Sequence, residues 1–140
     1  MEYRRFGDKY VVRLNKGEEI LESLKKLCKD ENIKLGRVTG IGATNKATVG
    51  IFNTETKEYR SRELTGDMEI ANLSGNISQM DGEVYLHLHI TLTDEENKAY
   101  GGHLNSAVIS ATCEIIIDVI AGTVDRKFDE DSGLNLIKFD

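Results

Sequence analysis

The chain holds three histidines, all within seventeen residues: His87 and His89 as a His-x-His pair, and His103 directly after Gly101-Gly102. The pair lies in VYLHLHITL, Val84 to Leu92. β-Branched and aliphatic residues at period two read there as a strand, in which residues two apart point to one face. Two such Cβ atoms stand about 6.5 Å apart, a span that imidazoles bridge to share an ion at a Zn–N distance of about 2 Å. His103 has to return from the next segment to complete a triad. Three neutral imidazoles leave an open coordination position, as catalytic zinc sites do and closed structural ones do not. Imidazole also suits copper, nickel, iron and cobalt, so Zn²⁺ leads a set of divalent transition metals. The plainer reading is two polar strand positions and a loop cap, and the convergence of all three rings weighs against it.

Around the histidines the signals are less specific. Glu114, between Cys113 and Ile115, is an acid in a strand otherwise made for burial, and a buried carboxylate needs a partner. It is the candidate general base for a metal-bound water or the group that orients a ligand histidine, with an ion pair to a lysine or arginine as the alternative. Gly101-Gly102 reads as a backbone bend or a pair of positive-φ positions that also lets His103 approach closely. Asp94 to Asn97 is a solvated turn, with Asp94 a distant candidate to support a ligand. Arg37 is placed for a salt bridge or an anion. Arg60 and Arg62 mark a solvent-facing strand side, since Glu55, Glu58 and Glu63 surround them.

Positioning falls to one helix and a series of strands. After a strand around Lys9 to Leu14, the segment from Asn15 to Asn32 carries Ile20, Leu21, Leu24, Leu27 and Cys28 at helical spacing. Its Glu18, Glu19 and Glu22 come early and Lys25, Lys26 and Lys29 late, which suits the helix dipole. From Lys34 the text changes to β-type runs: GRVTGIGATNKATVGIF, KEYRSREL, DMEIANLSGNIS and EVYLHLHITLTD. Turns are expected at Thr44-Asn45-Lys46, Asn53-Thr54-Glu55 and Met80-Asp81-Gly82, the last a strong hairpin signal. Ser106 to Ala121 reads as mostly strand from its Val, Ile and Thr content. Gly122 and Asp125 to Asp131 read as a charged loop, and Leu134 to Phe139 as a final strand. The expected fold is α+β: a mainly antiparallel sheet covered on one side by the Gly17 to Asn32 helix, with room for one more short helix.

A length of 140 residues, 39% hydrophobic and 30% charged, suits one domain over 1–140 with a core of its own. A formal charge of −6 gives no basic footprint, so electrostatics disfavour DNA. Cys28 and Cys113 have no ligand spacing and read as buried small hydrophobes in a reducing, cytoplasmic setting. No signal-type or membrane-spanning stretch is seen.

From Leu86 to Leu104 the chain reads LHLHITLTDEENKAYGGHL, which resembles the signature of the plant and prokaryote conserved domain, also called PPC or DUF296. GDMEIANLSGNIS from Gly66, VTGIGA from Val38 and ATCEIII from Ala111 resemble further segments of that family, so the likeness spans nearly the whole chain. The resemblance implies an α/β fold with a mainly antiparallel sheet, assembly as a homotrimer, and a metal held by His87, His89 and His103. It also brings the alternative of a predicted DNA-binding or regulatory protein, by analogy with plant relatives that carry AT-hooks. This chain has no Arg-Gly-Arg-Pro element and no proline. Whether it is an enzyme, and which small molecule it binds, stays open.

Overall fold

Alternation decides the first layer. In β2 (Lys9–Asn15) every second residue is buried, and Tyr10, Val12 and Leu14 turn one way while Lys9, Val11 and Arg13 turn the other. The C-terminal half of β6 (Ala99–Val119) does the same, with Cys113, Ile115 and Ile117 inward. The two strands pair antiparallel with Tyr10 opposite Ile117 and Leu14 opposite Cys113. Helix α1 (Ile20–Asp30) covers the inward face with Ile20, Leu24, Leu27 and Cys28, all essentially inaccessible. Burying each such leucine or isoleucine contributes about 1.5–3 kcal/mol. Glu19 caps the helix, its carboxylate accepting the Glu22 N–H at 2.8 Å and the Ala107 N–H at 2.9 Å, so the cap also ties the helix to β6.

The structure, a computed structural model, describes residues 1–139. Its other elements are β1 (Glu2–Phe6), β3 (Gly36–Asn53), β4 (Glu58–Met80), β5 (Glu83–Thr93), β7 (Asp125–Asp129) and β8 (Leu134–Lys138). All strands join one sheet, antiparallel except for a single parallel bridge between Gln79 of β4 and Asp125 of β7. The α+β class with a mainly antiparallel sheet is as expected, and α1 is the one helix among the described residues.

Within the sheet, β3 pairs with β4, β4 with β5, β5 with β6 and β6 with β3, so the pairings close on themselves. Closure needs long, bent strands, and this explains two departures from expectation. Thr44-Asn45-Lys46 is no turn: β3 runs through it and absorbs the bend as a register irregularity against both β4 and β6. KEYRSREL and DMEIANLSGNIS are likewise one 23-residue strand, in which Gly66 takes a positive φ of 103° in place of a break.

The Asp81-Gly82 hairpin forms as expected, both residues at positive φ, 53° and 79°, between paired Met80 and Glu83. Asn53 closes the β3–β4 turn by accepting the N–H groups of Glu55 and Thr56 at 2.9 Å. Two other elements differ from the sequence reading. Glu2–Phe6 is a strand with no buried residue, paired only with β2 and tied to the helix C-cap by the Tyr3 hydroxyl donating to Glu31 at 2.9 Å, so no burial pattern marks it. Asp125 to Asp129, expected as loop, is strand β7, pairing with β8 from Asp125 opposite Lys138 to Asp129 opposite Leu134. Its charges hide it because Arg126 is the one side chain it buries.

Gly101 and Gly102 are neither a bend nor positive-φ positions. They lie in β6 where β5 and β3 crowd it from both sides: a Cβ on Gly101 would stand 2.5 Å from the Ile90 carbonyl oxygen, and one on Gly102 would stand 2.6 Å from that of Gly50. A Gly102→Ala variant is accordingly expected to unfold at lower denaturant concentration, by about 1–3 kcal/mol, the usual cost of overpacking; an unchanged midpoint would show that the three strands can move apart there.

Candidate metal centre

The histidines gather where β6 parts from β5. Those strands pair from Thr93 opposite Ala99 to His89 opposite His103, and that last pair ends the register. From His103 onward β6 follows β3, with Gly50 opposite His103. The inward face of β5 carries the inaccessible Leu88, Ile90 and Leu92, which turns His87, His89 and Thr91 outward. The three ring centroids lie 5.2, 5.3 and 5.7 Å apart. One nitrogen from each ring falls within 4.8 Å of the others. Tetrahedral zinc at about 2.05 Å from each nitrogen would need separations of about 3.4 Å.

Around this cluster β4 lays a polar row, with Ser74 opposite His89 and Asn76 opposite His87. On the His103 side stands Tyr59, edge-on at 6.0 Å between centroids, its hydroxyl donating to Asn105. Gly50 makes room for it, since a Cβ there would meet the Tyr59 hydroxyl at 2.1 Å. On the His87 side the β7–β8 hairpin brings Arg126. Its guanidinium donates from Nε to Ser78 Oγ at 2.8 Å, from Nη1 to the Asn135 carbonyl at 2.9 Å and from Nη2 to Asn76 Oδ1 at 2.9 Å. It also lies 4.7 Å from the centre of the Tyr85 ring.

Burial, the Arg126 charge and the neighbouring rings lower the pKa of His87, while burial and His89 lower that of His103. Both rings therefore stay neutral, the form that binds a metal, below the ordinary histidine range. Among the described residues no carboxylate or thiol joins the cluster. An all-imidazole set, with His87 and His103 half-buried and His89 exposed, fits a borderline ion such as Zn²⁺ and does not fit Mg²⁺ or Ca²⁺, which require oxygen.

Of the residues singled out in the sequence, the structure brings together His87, His89 and His103 and leaves Glu114 out. Glu114 lies eleven residues farther along β6, about 36 Å of extended chain, opposite Arg13 of β2 and Ile41 of β3. It points to the exposed side of the sheet, away from buried Cys113 and Ile115, so its expected role as general base or ligand support does not hold. Asp94 closes the β5–β6 turn, accepting the N–H groups of Glu96 and Lys98. Arg37 pairs with Asp118 at 2.8 Å. Cys28 and Cys113 are free and buried, which pushes each thiol up to about 12. Arg126, Asn76 and Tyr59 were not singled out. A usable signal existed for Asn76 alone: Asn72, Ser74, Asn76 and Ser78 alternate at period two, like the His-x-His strand they pair with.

A closed antiparallel sheet with one covering helix and an outward three-histidine cluster defines an α+β domain with metal-ligand geometry. The chain matches the Plants and Prokaryotes Conserved (PCC) domain over residues 1–121 and belongs to that family. Among solved structures it is similar to a protein of Bacteroides thetaiotaomicron provisionally named as DNA-binding. The two are 39% identical, with a TM-score of 0.96 over 99% of this chain and 96% of the other. A metal-containing protein of Archaeoglobus fulgidus is 31% identical, with a TM-score of 0.88 over 99% and 97% of the two chains. A plant- and prokaryote-conserved protein of Pyrococcus horikoshii is 33% identical, with a TM-score of 0.86 over 99% and 94%. Two Synechococcus bifunctional GlmU proteins are 29% and 30% identical over 121 and 110 residues. This chain spans only 18% and 16% of their lengths.

The lowered pKa values carry a sign. An unfolded histidine takes up its proton near pH 6.5, whereas His87 and His103 do so only at lower pH when folded. In that window the unfolded chain binds more protons, so folding stability is complete above about pH 6.5 and falls as pH drops through the window. Metal-free protein is therefore expected to melt lower at pH 5 than at pH 7.5, and a His87→Gln, His103→Gln variant is expected to lose less over that interval; equal losses would overturn the assignment.

Proposed function

We propose that this chain is a metal-binding PPC-type domain that holds one divalent transition-metal ion, zinc first among them, on His87, His89 and His103. The observation that carries this reading is the approach of three imidazole nitrogens to within 4.8 Å of one another, with no competing acid among them. The metal-containing character of the Archaeoglobus relative supports it. When bound, such an ion supplies Lewis acidity at an open coordination position. The protein's part is to hold three rings at the parting of β5 and β6, with Tyr59 and Arg126 as the flanks. This suits binding of a small molecule or metal-assisted chemistry on one.

Metal analysis of protein purified without added chelator tests the site. We expect close to one ion per chain in the wild type and near none in a His87→Ala, His89→Ala variant; equal metal in both would remove the proposal.

The reading includes a single domain that works as a homotrimer in the cytoplasm. Two buried free thiols fit a reducing compartment. For assembly the support is an exposed apolar patch on the face of β2, β6 and β3 that α1 leaves bare. There Val11 stands opposite Ile116, and Ile41 is two residues along from Thr39, the β3 partner of Ile116. Val11, Ile116 and Ile41 are 46, 38 and 57% exposed, and contiguous exposure of this kind marks an interaction face. An Ile41→Asp, Ile116→Asp variant is expected to fall from trimer to monomer mass in sedimentation; a trimer that persists would exclude this face.

DNA association, the role in the Bacteroides relative's name, is outside this reading. The chain carries a net −6, and Arg60 and Arg62 are interleaved with Glu58 and Glu63.

A further inference from the structure

The cluster and its surroundings do not balance in charge. A divalent ion on three neutral imidazoles keeps both its positive charges. Arg126, held against Asn76, Ser78 and Tyr85 on the His87 side, adds a third that does not titrate away. A carboxylate behind a ligand histidine is one common partner of its second ring N–H and would offset part of that charge. Among the described residues none stands in the cluster, and no acidic group acts on the His87 or His103 ring. The β4 row facing the rings is serine and asparagine.

We propose that the molecule completing this site is a small oxyanion, a carboxylate or a phosphate, and that Arg126 is the fixed counter-charge that selects it. The inference rests on the reading of the histidines as metal ligands. A guanidinium has five N–H donors, and Arg126 spends three on Ser78, Asn76 and the Asn135 carbonyl. The other two have no hydrogen-bond partner among the described residues, and on the proposal they meet the oxygens of the ligand. The side chain is only 9% exposed, so its charge is poorly screened by solvent. Its bonds to β4 and β8 fix it in place before any ligand arrives, which spares the ordering cost of recruiting a mobile arginine.

Asn76 gives the sharpest test, because its Oδ1 accepts Nη2 of Arg126 and it stands opposite His87. Asn76→Asp keeps the shape and the hydrogen bond and adds the missing negative charge. Cobalt(II) is the probe, since its visible spectrum reports directly on the coordination position without any assay of activity. Acetate and inorganic phosphate are titrated separately into cobalt-loaded protein, with imidazole as the neutral ligand. We expect the wild type to respond to the anions, and the stronger of the two to name the headgroup. Asn76→Asp is expected to take up cobalt as well or better yet bind the anions at least tenfold more weakly, with imidazole binding unchanged. Arg126→Met should show the same anion loss and Arg126→Lys should restore most of it. Anion affinities equal in wild type, Asn76→Asp and Arg126→Met would overturn the inference and leave the metal site standing. Failure of the wild type to take up cobalt would remove the metal reading itself.

Discussion

The structure depends on where β6 changes partner. Beside β5 it is bound by backbone pairing only from Ala99 to His103, and from there it follows β3 and then lies against β2. The β5 register ends and the β3 register begins at the same residue, His103. That transfer sets two imidazoles of β5 and one of β6 around a common point. The same transfer requires glycine at 101 and 102, because backbone from both sides occupies the space where Cβ atoms would sit.

The two faces of the sheet are made unequal by the same alternation. Leu88, Ile90 and Leu92 anchor β5 in the core, so the histidines inherit a rigid support from residues that carry no chemistry. On β6 the rule that brings His103 to the site sends Glu114 to the far stretch of the strand and to the open face. Rings packed on a support of this kind lose little conformational freedom when they engage an ion.

Much of this was legible in the sequence, and the exceptions have a common cause. The α1 stripe, the Asp81-Gly82 hairpin and the His-x-His strand all declare themselves through local patterns, periodicity or turn chemistry. What escaped depends on partners distant in sequence. The bend of β3 at Thr44 to Lys46 follows from closure of the sheet, and β1 forms its ladder on the edge that β2 offers it. Strand β7 is charged throughout save for Phe128, and Arg126 becomes a buried residue only once Ser78, Asn76 and Tyr85 surround it. Glu114 failed for the converse reason: apolar sequence neighbours suggest burial, but in a strand the immediate neighbours occupy the opposite face.

The segment that supplies Arg126 follows the stretch matched by the family, which ends at residue 121, and it reaches the histidines from outside the closed ring of strands. The three histidines and Arg126 thus come from separate pieces of chain. A domain built in this way has a replaceable doorpost: exchanging or reshaping the last hairpin can alter the charge beside the three rings, while the strands that carry the rings keep their geometry.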